Sequence, residues 1–328
     1  MKTKILYIIT SEPQDIYLEQ LHVSIASARK YIPKAHITIL MDKKTHENII
    51  SSKRKFQIER ADEIIVIDLD PSMSAQKRSR ILKTGARKYI KGDFLFIDCD
   101  TIITKDLSDI DNCEFELAAC WDTHTLFKDN PYRRMCLSHT SKLGYDISNE
   151  EVYFNTGVIL ARDTPLVHKF YTLWNQNYLS GFKQGVTMDQ PSFAITNITL
   201  DHVVQTLPDI WNCELKHGIK YLKDAKIVHY LCTNIPNLPG EELFILNNRR
   251  VLEKIKEDGR IPASIMATID DPFQGISSVT NCFGSNVGNL FTTISFKQLL
   301  KMYNKSGSNM WIENLLHKFN KIKTFIFK

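Results

Sequence analysis

GDFLFIDCDTII, residues 92–103, decides the fold. Phe94–Ile97 is a short apolar run of strand formers and Thr101–Ile103 is another, and between them stand two carboxylates, Asp98 and Asp100. Carboxylates inside an apolar strand passage are costly unless something neutralises them. A hard divalent cation gripping a diphosphate is one such neutraliser, suited to oxygen ligands. The Asp-x-Asp pattern itself carries little weight, because Asp68/Asp70 and Asp109/Asp111 repeat it. Those two pairs lie beside Pro71 and in the polar stretch Ser108–Glu116, where water solvates them. Context singles out Asp98 and Asp100.

Outward from that stretch, strands alternate with helices. Lys4–Thr10 (KILYIIT) is apolar, rich in β-branched residues and followed by turn formers. Leu18, Leu21, Ile25 and Ala28 recur at helical spacing across Tyr17–Tyr31, and Pro33 closes that helix. His36–Met41 and Glu63–Ile67 are further strands, Gln76–Ile90 a basic amphipathic helix, and Phe154–Ala161 and Lys226–Tyr230 two more strands. Continuous apolar strands separated by helices predict an α/β fold with a mostly parallel central sheet covered on both faces. The character changes after His229. Asn234–Gly240 is rich in Pro and Asn, and Pro272–Phe296 carries no charge and reads as a long polar loop. Phe296–Lys305 and Met310–Ile322 then read as amphipathic helices split by Ser306-Gly307-Ser308.

Composition narrows the class. With 328 residues, 43% hydrophobic and 24% charged, the chain is an ordinary globular protein, and wholesale disorder is excluded. Its seven irregularly spaced cysteines exclude a disulfide-built scaffold. No run approaches the ~18 apolar residues of a spanning helix. Ile5–Ile9, followed by Glu12 and Asp15, is too short for a signal peptide, so a cytoplasmic location is expected. The net charge of +5 is concentrated at one end, where Lys297–Lys328 holds seven lysines against Glu313 alone. A near-neutral body with a basic tail argues against a nucleic-acid partner and for an anionic surface met by the tail. After the first strand stands Ser11-Glu12-Pro13-Gln14, without the glycines of a dinucleotide turn, and there is no phosphate loop with Lys-Ser/Thr.

In order along the chain come Arg80, GDFLFIDCDTII (92–103), AACWD (118–122), YFNTGVIL (153–160), MDQPSF (188–193), WNC (211–213) and IVHY (227–230). This ordered set, over roughly residues 4–232, resembles the retaining nucleotide-sugar glycosyltransferases of glycosyltransferase family 8, bacterial lipo-oligosaccharide galactosyl- and glucosyltransferases among them. The resemblance implies a GT-A-type domain over 1–235, a UDP-hexose donor (glucose or galactose), Mn²⁺ or Mg²⁺ as metal, and a saccharide or glycolipid acceptor. It implies Asp98, Asp100 and His229 as metal ligands. Thr10 and Tyr17 fall where the family binds uracil and ribose, and Arg80, ahead of Arg78, where it contacts the donor. Asp122, Asn155, Asp189 and Gln190 match the residues around the transferred sugar. Where the family has Gly and Lys on the phosphates, this chain reads Tyr230-Leu231-Cys232-Thr233-Asn234-Ile235, so phosphate closure is expected to be built differently.

The residues support that chemistry on their own terms. Cleaving a sugar–diphosphate bond develops oxyanion charge, which a divalent metal and an arginine stabilise. Short polar side chains suit hydroxyl recognition. Each has a plainer reading: Asn155 as a turn residue, Asp189 as a helix cap before Gln190-Pro191, His229 as a core histidine, Arg80 as a solvated charge. Double displacement needs a carboxylate nucleophile, and Gln190 is an amide, so front-face substitution supported by Asp189 is favoured.

Two other readings stand beside this one. A haloacid-dehalogenase-like phosphohydrolase also places Asp-x-Asp after an apolar strand, with Asp270-Asp271 as a second metal pair, and would release phosphate from phosphomonoesters. A non-catalytic nucleotide-sugar-binding protein would bind UDP without turnover. Residues 236–328 are expected to form an extension with a basic amphipathic tail. Its lysines, with Trp311, Phe319, Phe325 and Phe327, suit peripheral attachment to the cytoplasmic face of an anionic membrane.

Overall fold

The computed structural model describes residues 1–231, 245–275, 293, 295, 296 and 298. Internal contacts divide the chain into Met1–Thr280 and Asn281–Lys328, and every element named below belongs to the first unit. In chain order these are β1 (Lys4–Ile9), α1 (Tyr17–Tyr31), β2 (Ile37–Asp42), α2 (Lys43–Ile50), β3 (Glu63–Ile67), α3 (Ala75–Thr84), β4 (Phe94–Ile97), β5 (Thr101–Ile103) and β6 (Leu117–Trp121). There follow α4 (Arg133–Lys142), β7 (Phe154–Ala161), α5 (Pro165–Lys183), α6 (Gln190–Thr199), β8 (Gln205–Thr206), β9 (Cys213–Glu214), β10 (Ile227–His229), α7 (Arg249–Asp258) and α8 (Ala263–Asp270).

Seven strands form the central sheet in the order β3-β2-β1-β4-β7-β6-β8. β1 to β4 are parallel neighbours, and β7 runs antiparallel between β4 and β6. Successive residues of β1 and β4 are apolar because both faces are covered. Ile5, Tyr7, Ile9, Leu95 and Ile97 pack with Leu18, Leu21 and Ile25 of α1. Leu6, Ile8, Phe94 and Phe96 pack on the other side with Leu82 of α3 and Phe170 and Trp174 of α5. A third cluster joins Val23 and Ile102 to Leu252, Ile255, Ile265 and Ile269 of α7 and α8.

A second, three-stranded sheet has the order β5-β10-β9. The chain passes from the large sheet to the small one at Asp98-Cys99-Asp100, between β4 and β5. That crossing explains why two carboxylates interrupt an apolar passage: they stand in the seam between sheets. β10 pairs antiparallel with β5, setting His229 opposite Thr101, and Asp98 N–H donates to Gly157 O at 2.8 Å.

The expected helix over Gln76–Ile90 starts one residue earlier and stops at Thr84. Gly85 caps it, with N–H to Ile81 O at 3.0 Å, and the chain continues as a short 3₁₀ turn, Ala86–Lys88. The helix is basic, but not in the expected sense. Arg78 and Lys83 are buried, with the Arg78 guanidinium 2.8 Å from Asp42 Oδ2 and 3.0 Å from Glu12 Oε1. The boundary expected at residue 235 and the tail helices lie outside the described residues. So does the polar loop, apart from Pro272–Gly275 and residues 293, 295 and 296.

Candidate metal and donor site

β1, β2 and β4 run parallel, so Thr10 and Asp98 follow strands that end at one edge of the sheet, the place where open α/β sheets bind ligands. Cys99 Sγ ties the Asp-x-Asp turn to that edge by donating to Ile8 O at 3.4 Å. Ligand atoms of Asp98, Asp100 and His229 all lie within 4.8 Å of one another. His229 Nε2 is 3.2 Å from Asp100 Oδ1 and 3.9 Å from Asp98 Oδ2. Among the described residues this is the one acidic or histidine cluster with such spacing. Asp270 pairs with Lys30, and Asp271 accepts from Phe273 N–H, so that second acidic pair is occupied elsewhere.

A chain of amides fixes the histidine tautomer. Gly157 N–H can only donate, so the Asn155 atom 2.7 Å away is its oxygen. Asn212 Nδ2 donates to the same oxygen at 3.0 Å, which turns Asn212 Oδ1 toward His229 Nδ1 at 2.9 Å. Nδ1 therefore carries the proton, and the Nε2 lone pair faces the two carboxylates, as a metal ligand requires. Two carboxylates and one imidazole are a donor set that fits a divalent cation such as Mn²⁺ or Mg²⁺. Burial would push the His229 imidazole down, but Asp100 and Asp98 hold it above its ordinary value. Desolvation raises the Asp98 carboxyl despite Lys83 and His229, so the cluster calls for positive charge. Gly157 is obligatory here, since a Cβ would lie 2.4 Å from His229 Cε1.

Beside this cluster Asp189 sits at the α6 cap position, yet its carboxylate makes no capping bond. Oδ1 pairs with Arg80 Nε at 3.0 Å, and Oδ2 meets Lys83 Nζ at 3.2 Å and accepts from Thr156 Oγ1 at 2.9 Å. Burial opposes its ionisation, but Arg80, Lys83 and Thr156 outweigh it and hold the carboxyl well below the usual range. Lys83 Nζ also reaches Asp98 Oδ1 at 3.3 Å and so joins the two acidic groups. Asp122, Asn155 and Gln190 converge next to them. Asp122 Oδ1 accepts from Asn155 Nδ2 at 3.1 Å and Gln190 Nε2 at 2.9 Å, and Oδ2 accepts from Asn130 Nδ2 at 2.9 Å. Asn155 is therefore a strand residue in a network, and no turn. A cavity of about 260 Å³ opens beyond Asp122, Asn155 and Gln190 toward α4 and β9.

Thr10 and Tyr17 stand apart from this network. Thr10 Oγ1 donates to Ala75 O at 2.9 Å at the start of α3, and Tyr17 is exposed at the start of α1. Arg80, not Arg78, reaches the acidic centre. Lys83, Thr156, Asn212 and Glu214 went unnoticed in the sequence. Lys83 had a signal, because a residue three positions from Arg80 on a helix shares its face. Asn212 lies inside the quoted WNC motif.

Fold and site define a nucleotide-sugar-transferase architecture. The sequence profile described as Glycosyl transferase family 8 matches residues 8–236, and the chain belongs to that family. No curated protein matches the sequence. Among solved structures, an active-site mutant of LgtC is 15% identical, with 78% of this chain and 94% of that one covered and a TM-score of 0.50, a likeness of fold. Mouse xyloside xylosyltransferase 1 in its apo form is 14% identical, covering 72% and 99%, TM-score 0.48. GlyE from Streptococcus pneumoniae TIGR4 is 16% identical, covering 82% and 63%, TM-score 0.47.

Proposed function

We propose that this chain transfers glucose or galactose from a UDP-sugar, with retention, to a hydroxyl of a surface or lipid-linked saccharide. The reading rests on family membership, and the observation that carries it is the convergence of Asp98, Asp100 and His229 with the Arg80–Asp189–Lys83 group. Asp98, Asp100 and His229 would hold Mn²⁺, or Mg²⁺, against the donor diphosphate. Such an ion supplies Lewis-acid stabilisation of the leaving group when bound. Arg80 and Lys83 add cationic donors for the phosphate charge that develops as the bond breaks. Asp122, Asn155 and Gln190 orient the sugar hydroxyls, and Thr10 and Tyr17 serve the nucleoside end.

Front-face substitution fits these side chains better than double displacement. The Gln190 amide is no nucleophile, and its nitrogen is already tied to Asp122 Oδ1 and, at 3.2 Å, Phe154 O. The Asp189 carboxylate is neutralised by two cations, which lowers its basicity and its nucleophilicity. It suits electrostatic support of a cationic sugar instead. The departing phosphate oxygen then takes the acceptor proton.

The test is a panel of nucleotide sugars with Mn²⁺, scored by UDP release, on the native chain and on Asp98→Asn and Asp100→Asn. UDP release from one UDP-hexose, falling by at least about 100-fold in either variant, is expected. Phosphate release from simple monoesters without UDP-sugar turnover would reverse the assignment. The basic tail is proposed to hold the enzyme on the cytoplasmic membrane face. No described helix is long and apolar enough to cross a membrane.

A further inference from the structure

The cavity beside Asp122 has walls that no group of the donor site explains. Three polar atoms of its lining residues are buried without a hydrogen-bond partner among the described residues: Glu214 Oε1, Tyr132 Oη and His139 Nδ1. Glu214 is fully buried at the end of β9. Its other oxygen, Oε2, accepts from Thr123 N–H at 3.2 Å and lies 3.5 Å from His217 Nε2, so the carboxyl is clamped at one end only. Buried orphan polar atoms cost about 1–3 kcal/mol each when nothing meets them, so three around one void mark a place where a ligand supplies partners. An apolar ligand would leave them stranded. A ring bearing several hydroxyls meets all three, while Tyr132 and Tyr153 give it aromatic surface to lie against.

We propose that this cavity seats one neutral hexopyranose ring of the acceptor, hydrogen-bonded by Glu214, Tyr132 and His139. The inference rests on the transferase reading and adds to it the acceptor's chemical class. Neutrality follows from the walls: Asp122 and Glu214 place two carboxyl groups there against the single ammonium of Lys216, which lies over the Tyr132 ring at 5.3 Å. A uronic acid would bring a third carboxylate. The position next to Asp122, which already binds Gln190 and Asn155, puts the acceptor ring against the residues assigned to the donor sugar.

Saturation-transfer NMR on the full chain with UDP and Mg²⁺ tests this, using the methyl glycosides of glucose, galactose, mannose and glucuronic acid as probes. At least one neutral methyl hexoside should receive saturation, and methyl glucuronide none. Its affinity should fall about tenfold or more in Glu214→Leu and in Tyr132→Phe, and return in Glu214→Gln, whose amide again faces a donor into the cavity. The UDP signal should persist in all three, which shows that each is folded. If UDP is saturated but no neutral hexoside is, if methyl glucuronide binds ahead of them, or if Tyr132→Phe leaves hexoside binding unchanged, the acceptor assignment is wrong. Native protein that fails to saturate UDP overturns the transferase reading, and this inference with it.

Discussion

At the scale of single residues, the site depends on groups that touch no substrate. Asn212 decides which nitrogen of His229 is free, and Gly157 decides whether the ring fits at all. Partners of this kind are typically worth 10- to 100-fold in metal affinity. Asn212→Ala should therefore weaken Mn²⁺ binding by about that factor, read by the electron-spin resonance of free Mn²⁺ in a titration. Unchanged affinity would mean that the amide chain does not orient the imidazole. His217 offers a second test, by pH. Burial, with Lys216 and the neighbouring histidines, pushes its imidazole down from 6.5 to about 3. The unfolded chain then takes up the proton first, so stability present above pH 6.5 is lost as pH falls below it. At pH 5 the loss is about 2 kcal/mol, at ~1.4 kcal/mol per pH unit. His217→Gln should flatten the urea-unfolding stability between pH 7 and pH 5 by that amount. An unaltered slope would locate the titration elsewhere.

At the scale of elements, α3 shows what a helical pattern conceals. Its basic residues read as a solvated face, yet Arg78 and Lys83 are buried and Arg80 is paired with Asp189. Arg80→Ala should raise the donor KM or lower kcat by about 1.5–3 kcal/mol, roughly 10- to 150-fold, the range for hydrogen bonds to charged groups. Steady-state kinetics with UDP-sugar checks it, and unchanged constants would leave Arg80 a structural counter-ion of Asp189. The strands were legible for a simple reason. β3, β4 and β7 match the apolar runs Glu63–Ile67, Phe94–Ile97 and Phe154–Ala161 residue for residue, because two-sided burial leaves no polar interruption. The small sheet was not legible in the same way. β8 and β9 have two residues each, too few for any periodicity to register, and they form only because longer strands offer them an edge. The same holds for the site. Asp98 and Asp100 announced themselves by interrupting an apolar passage, whereas Lys83, Thr156 and Asn212 became visible only when tertiary contacts joined segments more than 50 residues apart.

At the scale of the whole molecule, a soluble donor must meet a growing glycan that remains on a surface, and the charge distribution bears on how. Lys297–Lys328 sets seven lysines beside Trp311, Phe319, Phe325 and Phe327, while the rest of the chain is close to neutral. Rings bury at the headgroup boundary and ammonium groups remain with lipid phosphate, so such a segment binds reversibly without spanning. Each basic residue near an anionic surface contributes about 1 kcal/mol, and the attraction decays within a Debye length. Replacing Lys318, Lys321 and Lys323 by Gln in the full-length chain should therefore cost about 3 kcal/mol, or roughly 100-fold in partitioning. Co-sedimentation with phosphatidylserine-containing and purely zwitterionic vesicles, at low and high salt, measures it. The native chain should pellet with the anionic vesicles at low salt only, and the triple variant should remain in the supernatant. Equal partitioning of the two proteins, or binding that ignores lipid charge and salt, would show that these lysines are ordinary solvated charges and that the enzyme reaches its acceptor by another route.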